Sequence, residues 1–135
     1  TRLVSSAASD VYKRQNIGNP HIIFFDDEIE KYDVESFGSL IENDSLFPEK
    51  INVSFAKLKS DNHIVLNVWE RGAGKTNACG TAACATAVAG VEMGVIKNKV
   101  TVTLPGGDLE IYYKSSDNII MTGPTEINFT DKYKL

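Results

Sequence analysis

Apolar positions along the chain follow two rhythms. Ile22 to Phe25 is an unbroken apolar run that reads as a buried strand. Downstream, Val34, Phe37, Leu40 and Ile41 recur at helical spacing behind Asp33, a residue suited to an N-cap, which predicts an amphipathic helix with those four on its buried face. The stretches INVSFAKL from Ile51 and HIVLNVWE from His63 are rich in β-branched and aromatic residues and partly alternate, with Ser60-Asp61-Asn62 as the turn of a hairpin. After Glu70 glycines break the pattern, and Gly80 to Met93 is almost entirely Ala, Val, Thr and Gly. A helix of that composition is buried all round, closely approached by its neighbours, and ends near Gly94. KVTVTL, the turn PGGD and LEIYYK predict a second hairpin, and NIIMTG and TEINF extend a β-rich tail. The expected fold class is α/β (α+β): a mixed sheet, curled or barrel-like, around one central buried helix.

The opening residues, TRLVSSAASDVYKRQ, share neither rhythm and run abruptly into NIGNPHIIFF. They are read as a non-native leader over residues 1–15, which leaves 16–135 as the domain. A chain of 135 residues, 42% hydrophobic, holds one core. Its net charge of -4 and the lack of any Lys/Arg cluster argue against a nucleic-acid partner. No apolar stretch approaches the roughly 20 residues needed to span a bilayer, so a cytoplasmic protein without a membrane partner is expected.

Candidate chemistry concentrates in ERGAGKTNACGTAACA, Glu70 to Ala85. Its Gly74-Lys75-Thr76 suggests a phosphate loop, but the Walker pattern would need glycine where Trp69 stands, and the dinucleotide fingerprint would need glycine at Asn77. The thiols remain. Cys79 and Cys84 lie too close together in one helix for a structural bridge, and His21 and His63 are isolated, so neither a disulfide nor a metal site is expected. Cys79 falls where loop becomes helix, so the unsatisfied N–H groups of the first turn are expected to lower its pKa. Those of Gly80 and Thr81 form a cradle for a substrate carboxylate. A thiol beside such a cradle is the layout needed to remove a proton from the α-carbon of an amino acid. Packing as a small buried residue is the alternative reading of Cys79, and it is the reading preferred for Cys84.

These residues resemble the second-half signature of the diaminopimelate epimerase family, E-R-G-x-G-E-T-x-A-C-G-[ST]. The resemblance extends to GNPH at Gly18 to His21, FPEKINVSF at Phe47 to Phe55, LPGGDLEI and MTGP. It implies a cofactor-independent, metal-free epimerisation of LL-2,6-diaminopimelate to the meso form in lysine and peptidoglycan precursor synthesis. It further implies that Cys79 works on one face of the α-carbon while Gly80 and Thr81 bind the reacting end. Glu70 and Arg71 would hold the distal amino and carboxylate groups, Asn19 and Asn52 would add hydrogen bonds, and His21 with Glu70 would set the thiol's protonation state.

Two departures qualify this. Lys75 stands where the family often has Glu, which reverses a charge near the substrate mouth. The opposing cysteine of the family, in an Asn-x-Cys-Gly-Asn-Gly setting, has no counterpart, since Cys79 and Cys84 are the only cysteines. The chain is therefore read as the C-terminal half of such an enzyme, inactive until joined to an N-terminal half, and homodimeric when complete. The rival readings are a proline-racemase-like or phenazine-pathway isomerase of the same superfamily, and a non-catalytic carboxylate-binding module.

Overall fold

The computed structural model describes residues 12–115 and 117–134. Its organising element is the helix α2, Gly80–Glu92, in which every residue from Ala82 to Gly90 is buried. Around it lies one sheet of eight strands: β1 Tyr12–Asn16, β2 Pro20–Phe25, β3 Asn52–Ser60, β4 His63–Glu70, β5 Gly74–Thr76, β6 Lys99–Leu104, β7 Gly107–Tyr112 and β8 Ile120–Thr122. The spatial order is β1-β2-β3-β4-β6-β7-β8, with β5 paired to β4. A second helix, α1, spans Val34–Glu42.

Two neighbouring pairs, β2 with β3 and β4 with β6, run parallel, and the rest are antiparallel. Parallel neighbours need a crossover, which α1 supplies for the first pair and α2 for the second. The two helices cover opposite faces. Val53 and Phe55 of β3 turn toward α1 with Ile22, Ile29, Val34 and Ile51, whereas Ala56 joins Ile23, Leu66, Val68 and Val102 around α2. Because α2 touches strands as far apart in the sheet as β1 and β7, the sheet has to curl around it. The mixed, curled architecture read from the sequence is the one observed, and the Ser60-Asp61-Asn62 turn joins β3 to β4 as expected.

Three details differ. Residues 1–11 of the stretch read as a leader lie outside the described residues, but Tyr12 to Gln15 belong to β1 and pair with Phe24 to His21 of β2. The first strand therefore begins inside the stretch read as a leader. On α1 the buried face is Val34, Gly38 and Glu42, while Phe37 and Leu40 are exposed, Leu40 by 71%. An i, i+4, i+8 stripe through a glycine and a carboxylate carries no hydrophobic signal. Finally, Thr125 to Phe129 forms no strand. Among the described residues no helix is long and apolar enough to cross a membrane.

Candidate active site

The parallel register of β2 on β3 sets His21 beside Asn52, and the antiparallel register of β3 on β4 sets Val53 beside Trp69. The first residues of β2 and β3 and the last of β4 therefore meet at one end of the sheet. There, Asn52 acts as a clip. Its Nδ2 donates to the Pro20 carbonyl and its Oδ1 accepts the Arg71 backbone N–H, both at 2.9 Å. Arg71 itself lies in an exposed turn, with one guanidinium N–H donated to the Glu49 carbonyl at 3.2 Å. Glu70 accepts a hydrogen bond from Thr76 Oγ1 at 3.0 Å. The Gly-Lys-Thr stretch thus serves as β5, whose threonine fixes Glu70 while Lys75 stays exposed.

Cys79 occupies the N-cap of α2 and is buried, with Ala83 N–H closing the first helical turn onto its carbonyl. The next three N–H groups, of Gly80, Thr81 and Ala82, have no acceptor within the helix. The Gly106 N–H holds the incoming loop by donating to the Asn77 carbonyl at 2.7 Å, which gives the PGGD turn its place in the site. Gly80 lies under the Met121 side chain, so the MTGP segment borders the same helix end.

A chain of hydrogen bonds joins His21 to the thiol. His21 Nε2 meets Asn19 Oδ1 at 3.0 Å, Asn19 Nδ2 donates to Thr81 Oγ1 at 3.3 Å, and Thr81 Oγ1 lies 3.6 Å from Cys79 Sγ. His21 is fully buried, and its pKa falls to about 4, first through burial and then through the Arg71 charge, against the opposing pull of Glu70. The ring is therefore neutral at pH 7, with Nε2–H donating to Asn19 and Nδ1 left without a partner.

The direction expected for Cys79 is reversed. Burial raises its pKa, and the nearby Glu70 carboxylate adds to the rise, outweighing the Thr81 hydroxyl and the Ala82 N–H that favour the thiolate. Position at a helix start is visible in the sequence and the Glu70 carboxylate follows from the family resemblance, but burial, the largest cause, is not legible there. Cys84 is buried in the α2 core, and its pKa too is raised by burial.

All eight residues singled out from the sequence, Asn19, His21, Asn52, Glu70, Arg71, Cys79, Gly80 and Thr81, lie in this one region. Thr76 and Trp69 were not singled out. The region is open: Arg71, Thr81, Asn77 and Ala78 are exposed, and the cavity beside His21 measures only about 50 Å³.

A curled mixed sheet around a small-residue helix is also the fold of the phenazine biosynthesis proteins of the PhzF family. The structure from Bacillus anthracis aligns with a TM-score of 0.55 at 19% identity, covering 82% of this chain and 37% of that one. The one from Enterococcus faecalis aligns at 0.52 and 18%, covering 73% and 35%. The class is thus the fold shared with these proteins, and sequence comparison narrows it. The family model for diaminopimelate epimerase matches residues 14–128, and the chain belongs to that family. It is 52% identical over 114 residues to the diaminopimelate epimerase of Erythrobacter litoralis and 49% identical over 117 to that of Halothermothrix orenii. The alignments cover 84% and 87% of this chain but only 42% and 41% of those relatives.

Proposed function

We propose that the chain is the C-terminal half of a cofactor-independent enzyme that epimerises LL-2,6-diaminopimelate to the meso form, with Cys79 as one of two proton carriers. The observation that supports this best is a buried, protonated thiol at the N-cap of α2, next to helix N–H groups suited to a carboxylate. Those groups would hold the charge that grows on the substrate as its α-C–H bond breaks. In one direction Cys79 enters as a thiol, gives its proton to the α-carbon and leaves as a thiolate. A thiolate on the other face takes the original proton and leaves as a thiol, so the proton count is unchanged, and the reverse direction exchanges the roles.

The second base is the part that this chain lacks. Cys84 sits within the helix core, so the opposing thiol would come from the portion of the relatives that this chain does not span. The open face at Arg71 and Thr81 fits a site awaiting its second wall. Glu70 and Arg71 would grip the distal amino and carboxylate groups, Arg71 through its planar fork, and Asn19 and Asn52 would add hydrogen bonds. A cytoplasmic, homodimeric complete enzyme belongs to the same proposal.

Epimerisation and solvent-deuterium incorporation at the α-carbon test the reading. The 135-residue chain alone should show neither. Joined to a first half that supplies the second thiol, it should turn over, and Cys79→Ala should abolish this. Turnover by the chain alone, or by the joined Cys79→Ala protein, overturns the proposal.

A further inference from the structure

Glu42, the last residue of α1, is the only buried carboxylate among the described residues, with 5% of its surface exposed. Burying a carboxylate is costly unless hydrogen bonds replace the lost water. Here both oxygens are engaged. Oε2 accepts the Trp69 indole N–H and Oε1 accepts the Gly72 backbone N–H, each at 2.8 Å. These bonds, the indole first, hold its pKa below the ordinary carboxylate value and keep it charged at neutral pH.

The two donors bracket Glu70 and Arg71: one is the residue before the pair, the other the residue after it. On the same turn, Asn52 takes the Arg71 N–H. Gly72 holds a φ of +77, which favours glycine, and so aims its N–H at Glu42. Gly38, one helical turn before Glu42, lies directly against Trp69 and lets α1 come close enough for the carboxylate to reach.

We propose that Glu42 is a positioning residue for substrate recognition, because its carboxylate, by fixing Trp69 and Gly72, sets how Glu70 and Arg71 are presented to an amino-acid substrate. This rests on the reading of Glu70 and Arg71 as the substrate-holding pair. Glu42 acts only through them. Both acceptor oxygens are needed: glutamine has the same shape but sets an NH2 group against one of the two N–H donors.

Amide exchange and kinetics on Glu42→Gln decide the matter. In the 135-residue chain, the Arg71 and Gly72 amides should exchange at least about tenfold faster, while core amides such as Val102 stay protected. The emission of Trp69, the only tryptophan, should shift as its indole loses a charged partner. In the complete protein, KM for diaminopimelate should rise about tenfold with kcat held within about threefold. A core variant of similar thermal stability, Ile111→Val, should leave KM in place. Should Glu42→Gln fail to fold, Trp69→Phe removes one of the two bonds and carries the exchange and KM comparisons. Unchanged exchange at Arg71 and Gly72, or a KM shift no larger than that of Ile111→Val, overturns the proposal. If the unsubstituted complete protein does not act on diaminopimelate, the substrate reading fails instead, and exchange still decides whether Glu42 fixes the turn.

Discussion

Asn19 and Thr81 stand 62 positions apart in the chain, yet the amide of one donates to the hydroxyl of the other across 3.3 Å. Thr81 Oγ1 in turn approaches the Cys79 sulfur, where it favours the thiolate, while Glu70 opposes it. Two substitutions should therefore move the thiol in opposite directions. Thr81→Val should raise the Cys79 pKa and slow its alkylation at fixed pH, and Glu70→Gln should lower the pKa and speed it. A pH-rate profile of alkylation, followed at Cys79 by mass spectrometry in a Cys84→Ala background, reads both. Equal shifts in one direction would show that the thiol answers to burial alone.

His21 makes folding sensitive to acid. Its pKa falls from 6.5 to about 4 on folding, so between those values the unfolded chain binds the proton and the folded one does not. Stability from this group is complete above pH 6.5 and is lost progressively down to about pH 4, reaching about 3 kcal/mol. His21→Gln should flatten this part of the stability curve in urea titrations at pH 7 and pH 4.5. A curve as steep as that of the parent would assign the acid loss to the carboxylates.

Gly38→Ala isolates the contact between α1 and the sheet. A methyl group there overlaps Cβ and Cγ of Trp69, atoms fixed by the β4 backbone and not by a flexible end. Helix propensity favours alanine by about 1 kcal/mol, but overpacking of this kind costs about 1–3 kcal/mol. The clash should win, lowering the urea midpoint and moving Trp69 emission to the red.

Gln15 offers a gain. It is buried, faces His21 across the β1–β2 pair, and its Nε2 has no partner. Gln15→Val should stabilise the chain by about 1 kcal/mol, because an unsatisfied buried amide gives way to apolar surface. An unchanged or lower urea midpoint would mean that the amide finds a partner in solution.

Legibility in the sequence followed locality. Glu70, Arg71, Cys79, Gly80 and Thr81 share one short stretch, and a loop running into a small-residue helix could be read from it directly. Asn19, His21 and Asn52 were reached only through family resemblance, since the parallel register of β2 on β3 that gathers them leaves no local mark. The inner face of α1 is hidden in the sequence for a related reason. Counting apolar residues favoured Phe37 and Leu40, whereas the real contacts run through Gly38, which permits close approach, and Glu42, which is satisfied by two donors far along the chain. The protonation of Cys79 is set first by desolvation, which leaves no mark in the sequence, whereas its position at a helix start does.

The polarity of the sheet has a practical side. Every candidate residue sits where β2 and β3 begin and β4 ends, while the Ser60–Asn62 turn closes the opposite end in exposed, polar residues. That turn is the natural place to graft a tag, a reporter or a surface-immobilisation handle. Anything attached there points away from the candidate residues and leaves the open face at Arg71 and Thr81 unobstructed.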